Sequence, residues 1–198
     1  KGEKMQTILI TGASSGLGAA LANAYAAPNV RLLLLARRKD RLAVVAADCR
    51  EKGAEVVEAV LDVCNQVAMR DWIVAMDEQS PIDIVYANAG VSGGSLGMGI
   101  ADSSDQDHQI FNINVGGVLN TIHPAVEVMT KRASGQIVVI SSLAGFLAAP
   151  GAPAYAASKA AVRLYCEAIT PKLHSMGIDV TVVCPGFVVS EMTAANDF

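Results

Sequence analysis

The chain is poor in aromatic residues, at 5%, and in charged ones, at 17%. It has no run of Lys or Arg and a formal net charge of −4, which argues against a nucleic-acid surface, because phosphate backbones are held by clustered cations. Cys49, Cys64, Cys166 and Cys184 include no Cys-x-x-Cys pair, and His108, His123 and His174 are dispersed. No metal is therefore expected, and the thiols should be reduced and mostly buried. No secretory leader pattern is present, and Lys1 to Lys4 read as a short extension ahead of Met5. The longest apolar stretch, Leu143 to Ala157, is cut by Gly145, Pro150, Gly151 and Pro153 and falls short of the roughly 20 residues that a membrane span needs. A cytoplasmic protein without a membrane partner is the expectation. Repeats, linkers and low-complexity segments are also absent, so residues 1–198 read as one domain.

What the chain has in quantity is apolar surface. Hydrophobic residues make up 52% and mean hydropathy is +0.39. Runs such as Leu32-Leu33-Leu34-Leu35 and Ile137-Val138-Val139-Ile140 suit parallel strands covered on both faces. Strand patterns fall near 6–11, 31–36, 55–61, 82–87, 135–140 and 178–183. Helical patterns alternate with them near 16–26, 39–52, 66–78, 103–131 and 153–176, with Asn65 and Ser103 or Ser104 as candidate N-caps. Such alternation predicts an α/β fold: a three-layer, doubly wound parallel sheet with right-handed crossovers.

Two constellations carry chemistry. The first strand runs into Gly12-Ala13-Ser14-Ser15-Gly16-Leu17-Gly18 and then into a helix. Glycines there let the backbone turn tightly and approach a pyrophosphate, and the helix N-terminus offers unpaired N–H groups to the anion. The second constellation is Tyr155-Ala156-Ala157-Ser158-Lys159, with Ser142 thirteen residues upstream of the tyrosine. On a helix the i,i+4 spacing puts phenol and ammonium on one face. A cation about 4.5 Å away at an effective dielectric of about 20 favours a phenolate by roughly 3 to 4 kcal/mol, which brings a phenol into the range of general acid-base catalysis.

Together these motifs resemble the short-chain dehydrogenase/reductase family, in its single-domain branch. The likeness covers nearly the whole chain: Thr-Gly-x-x-x-Gly-x-Gly at 11–18, Asp62-Val63, Asn88-Ala89-Gly90, Asn114, Ser142, Tyr-x-x-x-Lys at 155–159, and Pro185-Gly186 after a late strand. It implies a Rossmann-like strand order of 3-2-1-4-5-6, with the ligand across the switch point. It also implies NAD(P)-dependent interconversion of a carbonyl and an alcohol.

By that resemblance Gly12, Ser14, Ser15, Gly16, Leu17 and Gly18 hold the pyrophosphate. Asp62 and the Val63 backbone hold the adenine, and Asn88, Ala89 and Gly90 floor the cofactor. Ser142 binds the substrate oxygen, Tyr155 moves the proton, and Lys159 bridges the nicotinamide ribose and stabilises the phenolate. Asn114 bends its helix and holds a water that links Lys159 to solvent. Pro185, Gly186, the Val188 backbone and the Ser190 hydroxyl meet the carboxamide, with Ser190 standing where Thr is usual. The spacing to Tyr155 selects Ser142 over Ser141, which is expected to bond to local backbone.

Cofactor preference is read from the second strand, Leu35-Ala36-Arg37-Arg38. The acidic residue that favours NAD is replaced by Ala36, and two cations follow, so NADP is expected ahead of NAD. Arg37 is the first candidate for the 2′-phosphate, with Ser14 or Arg38 beside it. Ser15 occupies the place where many NADP-preferring relatives carry Arg or Lys.

Leu143, Phe146, Leu147, Ala149, Phe187 and the glycine-rich loop 91–100 are candidate walls for a small-molecule carbonyl or alcohol substrate. A homodimer or homotetramer is implied through the helices at 103–131 and 153–176, where Ala157, Ala161, Leu164 and Ala168 form a second apolar stripe. Family members usually continue past the Pro-Gly turn with lid helices and a seventh strand, and the chain is expected to lack both. The alternatives are a nucleotide-binding regulatory or scaffold protein without catalysis, and an epimerase or dehydratase on the same fold.

Overall fold

The computed structural model describes residues 5–93, 103–147 and 151–188. Six strands, β1 (Gln6–Thr11), β2 (Val30–Ala36), β3 (Glu55–Val60), β4 (Ile84–Ala87), β5 (Gly135–Ile140) and β6 (Ile178–Val183), form one sheet. Every neighbouring pair is parallel and the order is β3-β2-β1-β4-β5-β6. The order in which strands are added reverses between β1 and β4, which opens a crevice at the carboxyl ends of these strands.

The tetraleucine of β2 shows why its sequence is apolar without alternation. Leu33 and Leu35 pack on one side of the sheet and Leu32 and Leu34 on the other, and all four are fully buried. Each contributes about 1.5 to 3 kcal/mol by leaving water. Helices α1 (Gly16–Tyr25) and α2 (Lys39–Glu51) cover the Leu32 side, where Ala22, Leu42 and Ala46 meet the sheet. On the other side Met69 and Ile73 come from α3 (Gln66–Gln79), Val118 and Ile122 from α5 (Gly117–Thr130), and Val162 and Cys166 from α6 (Pro153–His174).

The helical pattern at 103–131 is not one regular helix. α4 (Ser104–Phe111), N-capped by Ser103, leads into a π turn at Asn112–Gly116 and then into α5. Ile82 and Asp83 lie outside the fourth strand because the Ile82 N–H is taken by the Asp77 carboxylate and Asp83 caps β1 at Thr7. Leu61 likewise follows β3, its N–H donating to Ala36 O. Asn65 caps α3 as its sequence position suggests, accepting from Ala68 N–H at 3.1 Å. Cys49 and Cys166 are buried, but Cys64 is exposed and Cys184 half-buried, so the expectation of mostly buried thiols holds for two of the four.

Candidate active site

A cleft of about 560 Å³ lies across the carboxyl ends of the strands. One end is the glycine turn. Gly12 has φ of +68°, and a side chain there would come within 2.8 Å of Ala89 Cα; a side chain on Gly18 would overlap the Gly12 carbonyl oxygen. Gly18 therefore acts by packing and does not line the cleft, whereas Gly12, Ser14, Ser15, Gly16 and Leu17 do. The start of α1 has no side-chain cap, so its first amides remain available to an anion.

Asn88 fastens this turn to β4. Its Nδ2 donates to Thr11 O at 2.9 Å, while its backbone N–H and that of Ala89 donate to Thr11 Oγ1. Ala89, Gly90 and Val63 continue the cleft wall. Asp62 also lines it, accepting from Cys64 N–H at 2.9 Å and standing 3.7 Å from Arg37 Nη1. The two arginines diverge. Arg37 faces Asp62, while Arg38 donates through Nε to Ser14 Oγ and through Nη2 to Ser15 Oγ. Both arginines line the cleft, and Arg38 is the one that contacts the glycine turn.

The other end is built by β5, α6 and the strand-to-turn segment after β6. Ser142 Oγ accepts from Ala144 N–H at 3.1 Å as the cap of a 3₁₀ turn, Leu143–Phe146, which leaves the hydroxyl proton available to donate. Tyr155 is half-buried on the first turn of α6, and Lys159 Nζ lies 5.8 Å from its ring centroid. Lys159 is buried and donates to Ile140 O at 2.9 Å. Loss of hydration lowers its pKa from the ordinary lysine range to about 8, with Cys184 pulling weakly the other way. Ser142, Tyr155, Lys159, Pro185, Gly186 and Val188 all line the cleft.

Asn114 sits behind the cleft and not in its lining. Its Oδ1 accepts from Val91 N–H at 2.8 Å, and its Nδ2 donates to Val91 O and to Ser158 Oγ. The carboxamide ties the segment after β4 to α6, and the π turn is where it reaches inward. Ser141 does not bond locally either: its Oγ donates to Lys159 O, eighteen residues away, at 2.9 Å. Sequence reasoning also passed over Ser158, which links Asn114 to Tyr155 O; its signal was a hydroxyl on the turn between Tyr155 and Lys159. Ser190, Ala149 and most of the loop 91–100 lie outside the described residues. Among the described residues, no cluster of three metal-ligating side chains occurs, and no helix is long and apolar enough to cross a membrane.

The short chain dehydrogenase family model matches residues 6–197. An uncharacterized oxidoreductase from Myxococcus xanthus is 38% identical over 98% of this chain and 76% of its own length. Among solved structures, a short chain dehydrogenase/reductase from Burkholderia phymatum in complex with NAD has a TM-score of 0.88 at 29% identity, with 97% of this chain and 69% of that one covered. An alcohol dehydrogenase from Thermococcus sibiricus complexed with 5-hydroxy-NADP has a TM-score of 0.83 at 27% identity, with 93% and 77% covered. The chain belongs to the short-chain dehydrogenase family and is an oxidoreductase of it.

Proposed function

We propose that the cleft binds a nicotinamide dinucleotide, NADP ahead of NAD, and interconverts a carbonyl and an alcohol on a small molecule with Tyr155 as general acid or base. The observation that carries this reading is that Ser142, Tyr155 and Lys159 line the same cleft as the Gly12–Gly16 turn. The cleft residues fit such a cofactor: uncapped α1 amides suit a pyrophosphate, and Gly90 leaves open the space beside Lys159 Nζ, 3.3 Å from where a side chain would begin. The nicotinamide, when bound, supplies or accepts the hydride.

In reduction, Ser142 Oγ donates a hydrogen bond to the substrate oxygen and stabilises its developing charge. Tyr155 gives its proton to that oxygen, and the Lys159 ammonium favours the negative charge left on the phenol. Asn114 and Ser158 hold the turn that carries both groups. Tyr155→Phe should lower kcat by about 100-fold or more while leaving cofactor affinity nearly intact. Retention of more than about a tenth of wild-type kcat would remove Tyr155 from the proton step.

Preference for NADP rests on the missing carboxylate at Ala36 and on Arg38, whose contacts with Ser14 and Ser15 put a guanidinium beside the turn. NADPH should bind at least about ten times more tightly than NADH, a difference of about 1.4 kcal/mol, and calorimetric titration of both decides it. Arg38→Ala should remove more of that difference than Arg37→Ala, and equal affinities in the wild type would end this part of the reading. We further propose a two-fold homodimer through α5 and α6, supported by Leu164, whose side chain is exposed on the outer face of α6 beside the exposed Ala157 and Ala168.

A further inference from the structure

Lys159 is held at both ends by one dipeptide. Its side-chain tip donates to Ile140 O and its main-chain carbonyl accepts from Ser141 Oγ, each at 2.9 Å. Ile140 ends β5, and Ser141 is fixed to β6 by its N–H, which donates to Val183 O at 2.8 Å. Ser141 is buried. The Lys159 carbonyl also has a tight neighbour in Gly145, where an added Cβ would stand 3.0 Å from Lys159 C. A helix carbonyl needs no second donor to complete the helix; the bond satisfies the buried Ser141 hydroxyl and at the same time ties the main chain at residue 159 to the end of β5. It fixes the distance between the lysine's main chain and the carbonyl on which its ammonium rests.

We propose that Ser141 is the positioning residue for Lys159, holding the ammonium at the floor of the cleft through the paired Ile140 and Ser141 bonds. The inference rests on the reading of Lys159 as the working cation of this site, but its physical content is the placement of one amine. Without the hydroxyl, α6 and β5 lose a buried tie at residue 159, and the ammonium gains freedom to leave Ile140 O for the open cleft.

The test labels amines in the protein without ligand, using a trace of acetic anhydride and mass spectrometry of the peptides. In Ser141→Ala, Lys159 should be acylated about fivefold faster than in the wild type, the factor set by one lost hydrogen bond, while the exposed Lys131 and Lys172 keep their rates. Ser141→Thr, which keeps the hydroxyl, should return Lys159 to within about twofold of wild type. Thr121→Ala removes a comparable buried bond, from Oγ1 to Gly117 O, and should lower thermal stability without changing Lys159 labelling.

NADPH affinity by calorimetry should fall with the alanine change and recover with threonine. If the alanine variant does not fold, Ser141→Cys keeps the volume with a weaker donor and should show faster labelling in the same direction. Unchanged Lys159 labelling in the folded variant overturns the inference. A wild type that binds no nicotinamide dinucleotide overturns the reading of function instead, and the labelling comparison still judges Ser141.

Discussion

An ammonium taken out of water is only partly compensated by one carbonyl, and Lys159 carries that imbalance, with its pKa lowered to about 8. The unfolded chain, with lysine near 10.4, binds more protons than the fold between these two values. Stability of the unliganded protein should therefore rise with pH from about 8 to about 10.4 and lose that increment as pH falls back through 8. Urea titrations across this range should show the slope, and Lys159→Met should flatten it. The residue type at 159 was legible from Tyr-x-x-x-Lys, as was the convergence of Ser142 with Tyr155. What the sequence did not disclose was the direction of individual side chains. Arg37 and Arg38 are adjacent and chemically equal, yet one turns to Asp62 and the other to Ser14 and Ser15. Ser141 has its partner eighteen residues away, beyond the reach of any local rule.

Adjacent glycines at the junction of the π turn and α5 meet different surroundings. A methyl on Gly117 would come within 2.5 Å of Val63 Cγ2, while one on Gly116 would meet nothing within 4 Å. Gly117→Ala should cost about 1 to 3 kcal/mol by overpacking, whereas Gly116→Ala should be neutral or add up to about 1 kcal/mol by helix propensity. Thermal unfolding should move down for the first and hold or rise for the second, by about 2 to 4 °C per kcal/mol. Equal shifts would mean that α5 can move away from Val63. At this scale strand bounds were readable, 6–11, 135–140 and 178–183 being those of β1, β5 and β6; β1 and β5 are buried through most of their length, while β6, at the sheet edge, alternates between buried or half-buried and exposed residues. It was least readable where polar side chains redirect backbone, as Asp77 does at Ile82; the π turn around Asn114 breaks what periodicity reads as one helix, where the family resemblance implied a bend.

For the molecule as a whole, exposed apolar side chains on the outer face of α6 bear on assembly. Leu164 is 56% exposed, and a cluster with Ala157 and Ala168 is the kind of patch that a partner covers. Light scattering at micromolar concentration should give twice the mass of one chain, and Leu164→Glu should give a monomer with an unchanged circular dichroism spectrum. A monomeric wild type would leave that face solvated. The sheet order has a further consequence for how the chain is made. β1 lies in the middle of the sheet, pairing with β2 on one flank and β4 on the other. Ile84, the partner of Ile8, leaves the ribosome roughly seventy-five residues later, which at about 5 to 20 residues per second is a delay of about 4 to 15 seconds. During that interval Ile8, Leu9 and Ile10 have no partner on the β4 side, and a nascent β3-β2-β1 half-sheet would present them as an open edge to other strands.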